Sequence, residues 1–424
     1  MFIARSRARI RAARMVFLLA GAVPVAAFVA WAAYLHSDSH RTAVERQWQD
    51  ATGLPLSIGR VEHPRPGVVR VHEMTIPAGP GRPACALPLI EIESSADEDR
   101  LRIDGFTCDP AVASVLTGLA RAWITDDVRF RRTCIVEVAD FRWTAATAPP
   151  RAASPPEPVA LRVECVTRDG SRAMRIVRRG SSVDELRIVR QSAPGAGAAD
   201  SRLAIDATSA EPIPLTVLAV ASGVPPDIAT ARAADAWVSG SLAAVRDDGG
   251  WNGTAEGRVT DIDLAATTAA VGGQADGTAS ITISRLTWEN SRLVDGLIEC
   301  ATGPGWIDGR LFDRIVLATG AQPGPAAGPL QRDVQRPFDA AACIATVGEN
   351  GVQFLPASRL PAALALHNNA VLLAPATAPV PGDRLAWMLT APGTGFGPAA
   401  GPGAWLMSVL PAPPPPGTGT RRQF

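Results

Sequence analysis

Trp237 to Ala301 reads WVSGSLAAVRDDGGWNGTAEGRVTDIDLAATTAAVGGQADGTASITISRLTWENSRLVDGLIECA. Four runs of short apolar and polar alternation lie in it: Trp237–Val245, Trp251–Leu264, Gly277–Trp288 and Leu293–Ala301. A period of two is the pattern of a strand that buries one face and wets the other. Asp247-Asp248-Gly249-Gly250, Asp276-Gly277 and Asp295-Gly296 read as the turns between them. The stretch is therefore a ladder of antiparallel strands.

The same style extends upstream. Ile58/Val61, Val68–Val71, Met74–Ile76, Leu89–Ile92 and Leu101–Phe106 are strand candidates, as are Cys134/Val136/Val138, Leu161/Val163/Cys165, Leu186/Ile188 and Leu203/Ile205. Asp109-Pro110 opens an amphipathic helix with Val112, Val115, Leu116, Leu119 and Trp123 on one face. Asp38 begins a shorter helix that Gly53 ends, Leu215–Ala221 reads as another, and Asp308–Leu317 reads as a last one. Downstream, Ala342–Leu355 is a hairpin turning at Asn350-Gly351.

Met15 to Leu35, MVFLLAGAVPVAAFVAWAAYL, carries no charge over 21 residues. At 1.5 Å per residue such a helix is about 31 Å long, enough to span a hydrocarbon core. Arg5, Arg7, Arg9, Arg11 and Arg14 precede it with no acid among them. That bias places the N-terminus in the cytoplasm and the body in the periplasm or another extracytoplasmic space, with the inner membrane as the integral partner. The rival reading is a cleaved signal peptide, for which Ala30-Trp31-Ala32 is a fitting site.

The organisation expected is a cytoplasmic Arg-rich tail (1–14), a transmembrane helix (15–35) and a first β-rich segment (36–143) containing a helix at 110–123. A Pro-rich connector (144–158), a second β-rich segment (159–318), a linker (319–336), a hairpin region (337–375) and a largely disordered Pro/Gly-rich tail (376–424) follow. The fold class is mainly β: an N-terminal transmembrane helix, then an elongated, curved antiparallel sheet, groove-like or partly closed, with two or three short helices.

Composition narrows the chemistry. The 424 residues hold 41 acids and 41 bases, and every base is Arg. Without Lys there is no P-loop and no Schiff-base amine. The neutral balance argues against a nucleic-acid partner. The five His include His36 and His40, at i,i+4, and His63 and His72 in a candidate hairpin. Neither pair reaches a metal site by pattern, and the carboxylate pairs Asp126-Asp127, Asp247-Asp248 and Asp261/Asp263 read as solvated turn residues. No catalytic, cofactor or metal residue is assigned, and no enzyme is expected. Residues 162–190 hold eight Arg against four acids. Arg175, Arg178, Arg179, Arg187 and Arg190 are thus candidate contacts for lipid headgroups, with a solvated outer face as the alternative. Six cysteines, Cys85, Cys108, Cys134, Cys165, Cys300 and Cys343, are disulfide candidates in an oxidising compartment. Nearest-neighbour pairing (85–108, 134–165, 300–343) is the simplest of the 15 possibilities, and buried thiols are the alternative.

One anchor, a short helix ending in Ala51-Thr52-Gly53-Leu54-Pro55-Leu56-Ser57-Ile58-Gly59-Arg60-Val61, and then Pro66-Gly67-Val68-Val69-Arg70-Val71 resemble the opening of the bacterial AsmA-like and TamB-type envelope proteins. Val238–Leu242, Trp251–Gly257, Ile262–Leu264 and Gly277–Ile283 resemble that family's Gly-bent C-terminal strands. The likeness covers residues 15–318. It implies a curved sheet with an apolar groove, a lipid partner and a role in envelope biogenesis or lipid handling between membranes, with other envelope proteins as further partners. No catalytic residue carries over. The alternative is a non-enzymatic structural or assembly scaffold of an envelope or secretion complex.

Overall fold

The computed structural model describes residues 7–77, 84–108, 110–125, 132–143, 158–168, 170–192, 201–215, 236–247, 250–269, 273–329, 334–388 and 408–410. It divides into two compact units, Met1–Phe106 with Asp126–Asp140, and Thr107–Thr125 with Phe141–Phe424.

The first unit begins with a continuous helix, α1 (Arg7–Phe17) and α2 (Val23–Leu35) joined by a π-helical turn over Leu18–Ala22. Pro24 lies in the first turn of α2. A prolyl ring cannot accept the regular i→i−4 geometry, and a widened turn ahead of it relieves the clash. Arg9–Leu35 is long and apolar enough to cross a membrane, and its side chains are exposed, which suits a membrane anchor or a signal sequence. The cap of α3 (Asp38–Thr52) is Ser37, not Asp38: the Ser37 hydroxyl accepts from the His40 amide. Gly53 ends the helix in the left-handed region (φ 70°).

Arg41, Glu45 and Gln49 recur every four residues and so share one face of α3. All three bind the extended segment that follows. The Arg41 guanidinium donates to the Ile58 carbonyl (2.9 Å), the Glu45 carboxylate accepts from the Ile58 amide (3.1 Å), and the Gln49 amide donates to the Leu56 carbonyl (2.7 Å). Leu56 and Ile58 are thereby buried. Strands β1 (Arg60–Arg65), β2 (Val68–Pro77), β3 (Ala84–Ser94) and β4 (Glu98–Cys108) pair in antiparallel succession. The pair β1–β2 turns at Pro66-Gly67, as its Gly signals.

The second unit takes α4 (Pro110–Thr125), which the sequence reading had placed with the first β-rich segment. Strand β5 (Thr133–Trp143) runs from the first unit into the second. Then β6 (Val159–Arg168), β7 (Ser171–Arg178), β8 (Glu185–Ser192), β9 (Ser201–Pro214), β10 (Trp237–Asp247) and β11 (Gly250–Asp263) form successive antiparallel neighbours. The short α5 (Leu264–Ala269) and β12 (Ala275–Asp276) intervene before β13 (Thr278–Glu289) and β14 (Arg292–Thr302) extend the same sheet. The four strands expected between Trp237 and Ala301 are present. Asp295-Gly296, read as a turn, lies inside β14, and the reversal occurs at Asn290-Ser291, both at positive φ. Asn-Ser adopts that conformation because Asn tolerates the left-handed region.

Strand β15 (Gly305–Asp308) pairs with β12 and β17 (Gln335–Phe338) in a small second sheet. Helix α6 (Gly309–Thr319) starts from the Asp308 carboxylate, which accepts from the Leu311 amide (2.6 Å). After β16 (Gln322–Pro323), β18 (Ala340–Gly348) pairs with β14 and turns into β19 (Gly351–Pro356). Then β20 (Ala365–His367), β21 (Ala370–Ala374) and α7 (Gly382–Met388) complete the chain's elements.

Of residues 319–336, expected to be a linker, the described parts, 319–329 and 334–336, are packed instead. Ala321 and Ala327 join a core of Phe312, Phe338, Leu364 and Leu372. Arg336, 3% exposed, donates to the carbonyls of Ala327 (3.1 Å) and Pro329 (3.0 Å) and lies over the Phe312 ring. A Cβ on Gly324 would sit 2.1 Å from the Val371 carbonyl oxygen, so that glycine permits close backbone approach. The described part of the tail is packed too. Val380 pairs with Val352, and Val380, Leu385 and Leu410 share a core with Leu293, Ala345 and Val347. The connector at 144–157, the cap Asp109 and most of the expected helix at 215–221 lie outside the described residues.

Gly240 holds φ 145°, and a Cβ there would meet the Glu256 carbonyl oxygen at 2.1 Å. Gly240→Val should therefore destabilise the fold by about 2 kcal/mol or more. Gly348→Ala, where a Cβ meets nothing within 4 Å, should change stability by less than about 0.5 kcal/mol. Urea titrations of both variants followed by circular dichroism make the comparison.

Candidate functional site

Register partners in an antiparallel sheet project from the same face. Following them across the second unit gives an unbroken apolar row: Val163, Ile176, Leu186, Ala207, Leu242, Ala255, Leu286 and Gly296, one from each strand from β6 to β14. A second row, Cys165, Met174, Ile188, Ile205, Ala244, Gly253, Trp288 and Leu293, lies on the same face. None of these residues is exposed, and most are half-buried. The row of opposite parity is Glu164, Arg175, Arg187, Asp206, Ala243, Thr254, Thr287 and Asp295. The next row on that face, Val166, Ala173, Val189, Ala204 and Val245, is apolar again but ends at Asn252 on β11, so only the first face is apolar through to β14.

One end of the apolar face is occupied by α4. Arg172 and Arg190 are register partners on β7 and β8 and are 4% and 6% exposed. Like charges directly opposite each other repel. Here both guanidiniums meet the carbonyls that a helix C-terminus leaves without partners. Arg190 donates to Ile124 (3.0 Å) and Thr125 (3.2 Å), and Arg172 donates to the Trp123 carbonyl and lies over its ring.

This corrects part of the expected headgroup cluster. Arg190 faces the helix, not a ligand. Arg175 forms a two-point pair with Glu185 (2.9 and 3.0 Å), which raises the Arg175 pKa and lowers that of Glu185 through the hydrogen bonds between them. Arg178 pairs with Asp184 and Glu211. Arg187 is exposed opposite Asp206, and Arg179 donates its backbone amide to Ala160. From outside the stretch, Glu211 pairs with Arg178 and Asp206 stands opposite Arg187.

Of the histidines, the structure brings together His40 and His63, with Nε2 atoms 2.8 Å apart and the Tyr34 ring edge-on to His40. His63 and His72 do not meet; His72 lies opposite Arg60 and approaches Glu62 (3.3 Å). Among the described residues no three His, Cys, Asp or Glu side chains converge as metal ligands. Asp263 caps α5, accepting from Ala265 (2.8 Å), and Asp247 accepts from Asn252 (3.2 Å). Asp126-Asp127 lie outside the described residues.

All six cysteines are thiols. Cys300 and Cys343 are register partners across β14 and β18, and the hydrogen bond between their side chains moves their two pKa values apart. Burial raises the Cys134 thiol to about 11.

A polar cleft of about 470 Å3 was not foreseen. It is lined by Arg258, Thr260, Asp261, Ser280, Thr302 and Arg359, among others. It forms where Asp261 takes positive φ (58°) and the β11–β13 register shifts between Val259 and Ile262. No composition signal marks it, because its residues come from four separate segments. No family model, curated protein or solved structure matches the chain.

Arg190→Met keeps bulk and apolar stem but removes both bonds to α4. It should cost about 2–3 kcal/mol in urea unfolding. With Arg172→Met added, the loss should exceed the sum of the two single losses, because each single substitution already relieves the like-charge repulsion, which can be relieved only once.

His63 titrates below its ordinary range, through burial first and then the charges of His40 and His36. A base depressed in the folded state gives stability that is present above its unfolded pKa of about 6.5 and is lost as pH falls toward the folded value. Wild-type melting temperature should therefore drop between pH 7.5 and 5, and His63→Gln should drop less.

Proposed function

We propose that this chain is a membrane-anchored, extracytoplasmic protein of the cell envelope that holds lipid acyl chains along the apolar face of β6–β14. The observation that carries the reading is the pair of register-aligned apolar rows, which continue from β6 to β14, whereas the apolar row on the opposite face stops at Val245 of β10, whose partner on β11 is Asn252. A scaffold needs no such continuity; an apolar ligand does. Arg9–Leu35 supports attachment to a membrane, and the arginines before it support a cytoplasmic N-terminus with the body in the periplasm. The likeness of its opening segment and Gly-bent strands to AsmA-like proteins agrees with envelope lipid handling. No residue is given a catalytic role.

The scaffold reading has its own observation. The region after β14 closes into side-chain-filled cores around Phe312, Leu372 and Leu385.

Full-length protein, reconstituted with a phospholipid bearing a photoactivatable acyl chain, separates the two. Cross-links are expected on peptides carrying Ile188, Ile205 and Leu242 as well as on the apolar helix. Leu242→Glu should cut the sheet cross-links by about threefold or more, since a carboxylate on that face repels hydrocarbon, and leave those on the helix unchanged. Cross-links confined to the helix in both proteins would establish the scaffold.

A further inference from the structure

Cys300 lies in the interior of β14 and Cys343 in the interior of β18, and the two strands pair directly. The register is regular from Gly296↔Val347 to Thr302↔Ala341, with Cys300 opposite Cys343 near its centre. Both side chains therefore leave the sheet on the same face, and their sulfurs are already in hydrogen-bonding contact. Register partners in an antiparallel pair have Cα atoms about 4.5–5.5 Å apart, within the span that a disulfide bridges. Cys343 packs beside the Phe312–Leu372 core, so the pair is held on the ordered side of the sheet.

We propose that Cys300 and Cys343 form a cross-strand disulfide, a covalent modification site that fastens the C-terminal strands to the main sheet. The inference is independent of the lipid reading, since it requires only an oxidant. That oxidant is a disulfide compound, either a low-molecular-weight one or a thiol–disulfide oxidase of an oxidising compartment.

The exchange balances as follows. The Cys300 thiolate attacks one sulfur of the oxidant; the S–S bond of the oxidant breaks, and one thiolate leaves. The Cys343 thiol gives up its proton to solvent and attacks the Cys300 sulfur of the mixed disulfide, expelling the second thiolate. Two electrons pass from the cysteine pair to the oxidant, and the two protons end on its two thiols. The balance is the same whichever of the two sulfurs attacks first.

The bond would enclose β15, α6, β16 and β17 between its ends. That stretch contains the packed 319–329 segment, whose small residues bury little area of their own. Closing the loop restricts the unfolded chain and leaves the native registers as they are.

The test uses the full chain, reduced, freed of reductant and exposed to oxidised glutathione. Because the chain has no Lys, trypsin cuts at Arg alone, and the two sulfurs fall on separate peptides, Leu293–Arg310 and Asp333–Arg359. Without reductant, these should appear as one cross-linked species two hydrogens lighter than their sum. Cys343→Ser should instead leave glutathione on Cys300, and the oxidised wild type should melt about 5 °C above the reduced. Glutathione retained on both sulfurs of the wild type, or both peptides recovered as thiols from folded protein, would overturn the proposal. So would Cys300 cross-linked to any other cysteine.

Discussion

Two positive charges, set opposite one another on neighbouring strands and removed from water, ought to push those strands apart. Arg172 and Arg190 do not, because the end of α4 lies against them. A helix C-terminus carries partial negative charge and carbonyls with no partner. Each side of this contact supplies what the other lacks. The helix gives the two guanidiniums acceptors, and the guanidiniums give the last-turn carbonyls donors. This mutual need assigns α4 to the second unit and settles which end of the apolar face is covered.

The same device recurs through the chain. Arg314 donates to the Met388 carbonyl (3.0 Å) and lies over the Trp387 ring at the end of α7. Arg336 gathers the carbonyls of Ala327 and Pro329, and Arg41 takes that of Ile58. A guanidinium is suited to this, since its planar fork can serve several oxygens while its weaker hydration lowers the cost of burial. The absence of Lys first reads as a compositional accident that excludes certain chemistries. In the folded chain, its counterpart is a set of arginines that act as backbone clamps.

How much of this was legible in the sequence depends on the range of the interaction. Strands between Trp237 and Ala301 announced themselves by period-two alternation, and Gly53 and Asp308 marked helix ends by local chemistry. The Asp295-Gly296 turn failed because glycine has two uses. Here it leaves room, with a Cβ at Gly296 only 3.1 Å from Val347, and the turn falls to Asn290-Ser291. The linker reading failed likewise over 319–329: Pro and Gly resemble a linker until the close approach of Gly324 to Val371 is seen. The role of Arg190 was hidden because its partners lie 65 and 66 residues away. The cleft at Arg258 and Arg359 was hidden because a bulge, not a motif, makes it. The apolar rows were half legible: alternation within each strand was visible, but whether the apolar residues align across strands is a matter of register.

That alignment sets a length. Eight strands, β6 through β14 without the short β12, each contribute a residue to the first row. At about 4.8 Å between neighbours, the path across them is roughly 34 Å. The hydrocarbon interior of a bilayer is about 30 Å thick. Crossing the strands rather than running along them, the second unit therefore offers an apolar track as long as a membrane is deep, built from side chains no single one of which is longer than a leucine or a tryptophan.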